Sequence, residues 1–512
     1  MAYLLGIDIG TSGTKTLLID ESGSVVSSAT AEYPLYTPRP NWAEQDPVDW
    51  WHATVSTVRQ VLGEGGLRPE EIRGIGLSGQ MHGSVFLDSS GEVIRPALLW
   101  CDQRTAAQCR WITDRVGKAD LVAETCNPVL TGFTAPKIIW LRDNEPENYQ
   151  RLSRVLLPKD YIRFKLTGEF ATEVSDASGT SLLNVRQRRW SDVVLERIGL
   201  SRDMLPEVYE SPQVSGRVSA AAAAATGLGR GTPVVGGGGD QAAGAVGNGI
   251  VEQGIVSSTT GTSGVVFAHL DEPAMDEQLR THTFCHAVPG KWHVMGVMLS
   301  AGGSLRWLRD ALCADEKAVA ALTGKDPYEY MTASAARAPL GAEGLIFLPY
   351  LTGERTPYPD PDAKGVFFGL HLRHDKSHLA RAVMEGVAFG LKDSFDIIEG
   401  MGVSITQVRA SGGGARSALW RQIQADVTGR PHCVINVDEG PALGAALLAG
   451  VGTGVWATVP EACRASMKVV DQRDPCAENH RRYGGYHRLY KELYARLQET
   501  FGEVQALLDE GG

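Results

Sequence analysis

Short apolar runs punctuated by glycine open both halves of the chain. Leu4 to Ile9 form an apolar run in which Asp8 is the only charge, which predicts a buried strand. Gly10 to Gly13 then turn the chain into a second strand, Lys15 to Ile19, and Val25 to Thr30 completes a meander. The same tetrapeptide returns as Gly261-Thr262-Ser263-Gly264, between Ile255-Val256 and Val265-Val266-Phe267. Two like turns half a chain apart predict a duplicated α/β domain. Each turn also aims successive backbone N–H groups at one point, a nest suited to phosphate. Asp46 and Pro47 start a helix whose buried face takes Trp50, Trp51, Val55, Val58 and Leu62. Ile72 to Leu77 read as a strand containing Gly74-x-Gly76-x-x-Gly79. Those glycines lie within the strand and not between a strand and a helix, so a dinucleotide fingerprint is set aside.

Residues 105–230 read as mainly helical, with Ala220 to Ala225 a helical alanine run. Pro233 to Val235 form a strand that runs into Gly236 to Gly239 and then Asp240-Gln241. Four residues without side chains let a ligand or backbone come close and leave Asp240 as the reactive group, which also stands at a helix start. The strand at 72–77 likewise delivers Met81-His82 at its C-terminal end, where open α/β sheets place ligands. Later come an amphipathic helix from Leu379 to Phe395 and a strand from Val408 to Ser411. That strand leads into Gly412-Gly413-Gly414 and a helix from Leu419, a junction that presses backbone against a flat ligand such as adenine. Val434 to Val437 is a strand, Pro441 to Ala446 a helix of small residues, and a polar helix begins at Glu478.

Composition narrows the classes. With 512 residues, 43% hydrophobic and 21% charged, the chain is globular and long enough for two to four domains. Its net charge of −11 argues against a nucleic-acid partner, and no apolar run reaches the length of a membrane span. The eight cysteines are scattered without C-x-x-C spacing or metal-like pairing with histidine, and no signal peptide is read; a reducing cytoplasm fits both. No G-x-x-x-x-G-K-[ST] string occurs, so a Walker loop is excluded.

The ordered set of motifs resembles the FGGY family of carbohydrate kinases, within the actin/Hsp70/sugar-kinase superfamily, over essentially the whole chain. It consists of Asp8-x-Gly10-Thr11-Ser12-Gly13-x-Lys15, Ser78 to Gly83, Gly132 to Lys137 with Trp140, Leu157 to Tyr161 and Gly239-Asp240. Gly261 to Gly264, Leu351-x-Gly353 to Pro357, Lys364 to Leu370 with Glu385-Gly386, and Gly412 to Ser417 continue it. The resemblance is nearest to the branch that acts on D-xylulose. It implies two ribonuclease-H-like domains around a cleft, with residues 1–250 on the sugar side and 251–470 on the ATP side. Residues 471–512 form a helical segment against the body.

The resemblance further implies ATP and Mg²⁺ as cofactors and a small sugar as partner, while a homodimer is compatible with the sequence. Carried over by position, Asp240 is the general base, and Met81, His82, Asp240 and Gln241 bind the ketose. Thr11, Ser12, Lys15, Thr262, Ser263, Gly302, Arg306, Gly413, Gly414 and Ser417 border the nucleotide, and Asp8 and Asp240 face the metal. Two positions depart from the family pattern, Gln241 and Cys101, each where an Asn is expected; both bear on sugar identity. A kinase for ribulose or glycerol and an actin- or Hsp70-like ATPase are the competing readings. Glycerol-type members carry Arg-Glu in place of Met81-His82, and Asp102-x-Arg104 would be superfluous in a chaperone-like ATPase.

Overall fold

The computed structural model describes residues 2–437 and 439–510. In the first half, β1 (Tyr3–Ile9), β2 (Gly13–Asp20) and β3 (Val25–Glu32) form the expected meander. They are followed by α1 (Pro47–Gly65), β4 (Ile72–Gly79), α2 (Thr134–Asn144), α3 (Pro158–Thr167), β5 (Val214–Arg217), β6 (Pro233–Val235) and α4 (Asp240–Gly247). Asp46 caps α1 by accepting from Val48 N at 2.9 Å, with Pro47 at its first position, as expected.

The second half holds β7 (Gly254–Thr260), β8 (Gly264–Leu270), β9 (His282–Cys285), β10 (Trp292–Met298) and α5 (Gly302–Leu312). After them come α6 (Lys376–Gly400), β11 (Ile405–Ser411), α7 (Ala418–Thr428), β12 (His432–Ile435), α8 (Gly440–Gly452), β13 (Val469–Arg473) and α9 (Ala477–Glu510). The segment 105–230 is less purely helical than expected: short strands at 154–156, 171–173, 183–184, 189–190 and 207–209 interrupt it. The amphipathic helix α6 is longer than its apolar stripe, because Asp375 caps it four residues before Leu379. The strand expected at 434–437 runs two residues earlier, where His432 and Cys433 pair with β11.

The duplication appears in the sheets. The first has the order β5-β6-β4-β1-β2-β3, and the second β9-β10-β8-β7-β11-β12-β13. Aligned on β1 and β7, six strands match in order and direction. β1 pairs antiparallel with β2 and parallel with β4, as β7 pairs with β8 and β11. β6 then runs parallel to β4, as β12 runs parallel to β11. Leu4, Leu5, Ile7 and Ile9 of β1 are fully buried, each stabilising the sheet by about 1.5–3 kcal/mol. That burial lets the strand carry Asp8 at its end.

The glycines inside β4 have a packing cause. A Cβ on Gly76 would overlap the Ala445 carbonyl of α8, and one on Gly6 of β1 the Ala442 carbonyl. Gly444 and Gly247 allow α8 and α4 the same close approach. The division at 250/251 is a division of the sequence; in space α8, from the second half, lies directly on the first sheet and crosses the helix that begins at Asp240. Among the described residues no helix is long and apolar enough to cross a membrane.

Candidate functional site

Asp240 opens α4 at the end of the glycine run. Gly238 and Gly239 pair with Ser78 and Gly79 of β4, which brings Asp240 next to the end of the first sheet. The run is held from behind. Arg163 of α3 donates to the Val235 and Gly236 carbonyls, both at 2.6 Å, and Ser175 Oγ accepts from Gly239 N at 3.1 Å. Beneath it lies a fully buried ionic cluster: Lys159 stands 2.7 Å from Asp160, 3.0 Å from Asp176 and 3.5 Å from Glu173. Burial pushes the Asp176 carboxyl well above the usual range, with Lys159 opposing in part.

Asp8 stands at the end of β1, its Oδ1 buried without a hydrogen-bond partner. Burial raises its pKa to about 6, with Ser78 and Lys15 holding it down in part. Asp240 is raised further, to about 7, by burial and by the negative charge of Asp8 nearby, against the pull of Gln241. Both groups thus stand above the ordinary carboxylate value of about 4. Two neighbouring carboxylates, one with an orphaned oxygen, are a donor set that fits a hard divalent cation such as Mg²⁺.

The first Gly-Thr-Ser-Gly turn is braced by a chain of polar contacts. Trp50 Nε1 donates to Gln45 Oε1 at 3.1 Å, and Gln80 Nε2 donates to the same oxygen at 3.0 Å. Thr11 Oγ1 donates to Gln80 Oε1 at 3.2 Å and accepts from Trp100 Nε1 at 3.0 Å. Gln45 also donates to the Thr11 carbonyl at 2.7 Å. That Gln80, Gln45 and Trp100 hold the turn is a role motif spacing does not reveal. Ser12 stays exposed at the tip. The Lys15 ammonium, expected to face the phosphates, is ion-paired with Glu439, just before α8.

The second turn repeats the Gly-N to carbonyl bond of the first: Gly10 N donates to Gly13 O and Gly261 N to Ser263 O, both at 3.0 Å. The start of α5 docks on it, with Ala301, Gly302 and Gly303 donating to the Gly261 and Thr262 carbonyls at 2.7–3.0 Å. A cavity of about 1060 Å³ opens here, and Thr262, Gly302, Arg306, Gly413, Gly414 and Ser417 all line it. Six of the expected nucleotide residues thus share one wall, large enough for a nucleotide. Ser417 also caps α7, accepting from Trp420 N at 3.2 Å. Thr11, Ser12 and Lys15 belong to the opposite turn, and Ser263 turns its carbonyl inward to Gly261.

On the other side, Met81 covers Gly239: a Cβ on that glycine would touch the Met81 side chain. His82 adopts φ 67°, an uncommon conformation for a residue with a side chain. The ring donates from Nδ1 to the Gly179 carbonyl, 2.7 Å away, and stacks on Phe133 at 4.4 Å between centroids. Lys137 holds the His82 carbonyl at 2.8 Å and the Gly132 carbonyl at 2.6 Å. Burial keeps His82 neutral, its pKa lowered to about 3. Gln241 follows the base, half-buried, and Cys101 is half-buried within reach of Lys137's charge. Asp102 and Arg104, by contrast, do not face this pocket. Arg104 is fully buried over the Trp42 ring at 3.5 Å and bridges Asp102 and Glu44, each at 2.7 Å, so the pair is a structural knot.

Comparison with known proteins follows the two halves. Residues 3–247 match the model of the FGGY family of carbohydrate kinases, N-terminal domain, and residues 256–453 match its C-terminal domain. The chain is 41% identical over 494 residues to the xylulose kinase of Escherichia coli (strain K12), covering 96% of this chain and 99% of that protein. It is 37% identical to the xylulose kinase of Bacillus subtilis (strain 168), covering 98% of each. Among solved structures, ligand-bound xylulose kinase from Lactobacillus acidophilus superposes with a TM-score of 0.91 at 26% identity, covering 98% of this chain and 100% of that one.

Proposed function

The chain belongs to the FGGY family of carbohydrate kinases, and from that premise we propose that it phosphorylates D-xylulose at O5 with ATP as donor. The observation that carries the reading is the placement of Asp240. It follows Gly239, which packs against the Met81 side chain, at the end of the first sheet and within reach of the charge of Asp8, a second raised carboxylate beside the first Gly-Thr-Ser-Gly turn. The nucleotide occupies the 1060 Å³ cavity, with its phosphates between the two Gly-Thr-Ser-Gly turns. The ketose lies over Met81 and His82, whose neutral ring, donating from Nδ1 to the Gly179 carbonyl, leaves Nε2 as an acceptor for a hydroxyl. Asp8 and Asp240 would hold Mg²⁺, which when bound supplies positive charge against the phosphoryl group in flight.

Asp240 orients the O5 hydroxyl and takes its proton as the new O–P bond forms and the bond to ADP breaks. A base near pKa 7 still lies far below a sugar hydroxyl, so the proton moves late, with bond formation. Closure of the two halves over the bound sugar would keep water from taking the hydroxyl's place. A cytoplasmic location accords with the free cysteines.

Asp240→Asn tests the assignment. Loss of a general base typically lowers the rate by about 10² to 10⁴, while ATP binding, followed by fluorescence titration, should stay near wild type. A variant that keeps half of the wild-type turnover would overturn Asp240 as the base.

A further inference from the structure

The sugar pocket is not built from the first half alone. β9, from the second half, lies against it. Asn127 Nδ2 donates to the Thr283 carbonyl at 2.7 Å, its Oδ1 accepts from Thr283 N at 3.2 Å, and Cys285 N donates to Ser178 Oγ at 3.0 Å. This places His282 with its Nδ1 3.3 Å from Asn127 Oδ1 and its ring 6.2 Å from Phe133, the ring on which His82 stacks.

One more side chain arrives with it. The loop 351–357 is pinned along β10 and the approach to β9. Glu354 Oε1 accepts from Leu299 N at 2.9 Å, Thr356 N donates to the Val297 carbonyl at 3.0 Å, and Thr356 Oγ1 donates to the Arg280 carbonyl at 2.7 Å. Arg355 projects between these anchors. Its guanidinium makes no hydrogen bond or ion pair among the described residues, whereas that of Arg280, just before β9, is paired with Asp276. Glu354 is turned away, accepting from backbone amides.

We propose that Arg355 is a sugar-reading residue supplied by the second half, its guanidinium hydrogen-bonding the carbonyl or hydroxyl oxygens of the ketose on the His82 side of Asp240. The proposal rests on the reading of Met81-His82 as the acceptor pocket. A free guanidinium with five donors in a fixed fork suits a row of oxygen acceptors and is idle without them. Its charge reaches both imidazoles: after burial, Lys137 and then Arg355 are among the groups that keep His82 unprotonated, and Arg355 acts on His282 in the same way. The loop that carries Arg355 moves with the second half, so grip on the sugar strengthens as the halves come together.

Arg355→Ala and Arg355→Lys test this by steady-state kinetics with D-xylulose and ATP varied in turn. Hydrogen bonds to charged groups contribute enough that the alanine variant should raise KM for the sugar about tenfold or more. KM for ATP should change less than about twofold, and the lysine variant should recover part of the loss because it keeps the charge without the fork. Thermal melting of both variants checks that the fold is intact; should the alanine variant fail to fold, the lysine variant still carries the sugar-against-ATP split. Equal rises in both KM values, or a wild-type sugar KM in both variants, would overturn the role of Arg355. A wild type that phosphorylates no sugar would instead overturn the acceptor reading itself, a different outcome from an active wild type indifferent to Arg355.

Discussion

Asp8 and Asp240 illustrate how a site can be chemically primed at the expense of stability. Both carboxyls titrate above their ordinary range, at about 6 and about 7, because burial disfavours their charge and, for Asp240, so does the negative charge of Asp8. With folded pKa values above the unfolded values near 4, the folded state binds more protons between pH 4 and pH 7. The stability these groups contribute is therefore complete below about pH 4 and lost as pH rises through 6 to 7. Asp8→Asn and Asp240→Asn should accordingly raise the denaturation midpoint at pH 8 in EDTA, and the gain should shrink toward pH 5. Midpoints at or below wild type at pH 8 would show that the two charges are already compensated within the protein. The same residues lose half their interest without the cation, which is why the orphaned Asp8 Oδ1 belongs in the account.

At the scale of elements, the small residues of α8 and β4 decide where Asp240 stands. Gly76 faces the Ala445 carbonyl with no room for a Cβ, and Gly444 and Gly247 let α8 ride on α4. Gly76→Ala should push α8 off the sheet. Overpacking of this kind typically destabilises by about 1–3 kcal/mol, and here it should also lower turnover because α4 carries the base. Urea unfolding and kcat measured together check it; an unchanged midpoint would mean that α8 shifts freely. The glycine string in β4 was legible as a strand feature but not in its purpose, because the partner helix lies some 370 residues further on. The meander, the capped helix at Asp46 and both turns were legible, since each rests on local pattern. The enclosure of Arg104 was illegible for the same reason, since Trp42 and Glu44, distant in the chain, close over it. The ion pair of Lys15 with Glu439 is likewise long-range, and no local spacing announces it. The loop 351–357 was legible as a motif, but not its anchoring along β10, which joins segments far apart in the chain.

At the scale of the molecule, two sheets of matching order each carry a Gly-Thr-Ser-Gly turn. In the proposed reading the nucleotide takes the 1060 Å³ cavity and both halves contribute to the acceptor pocket. A single base, Asp240, then suffices, because positioning and charge neutralisation do most of the work in phosphoryl transfer. It also separates the sugar-kinase reading from an ATPase of similar fold, since the Met81, His82 and Arg355 side chains have a use only when an acceptor is present. The most direct test is ADP formation by the purified protein with D-xylulose, D-ribulose, glycerol or no acceptor, with the product examined by phosphorus NMR. The account predicts acceptor-dependent ADP release, the highest kcat/KM with D-xylulose, and phosphate at O5. ADP release that ignores the acceptor, or a preference for glycerol, would contradict it.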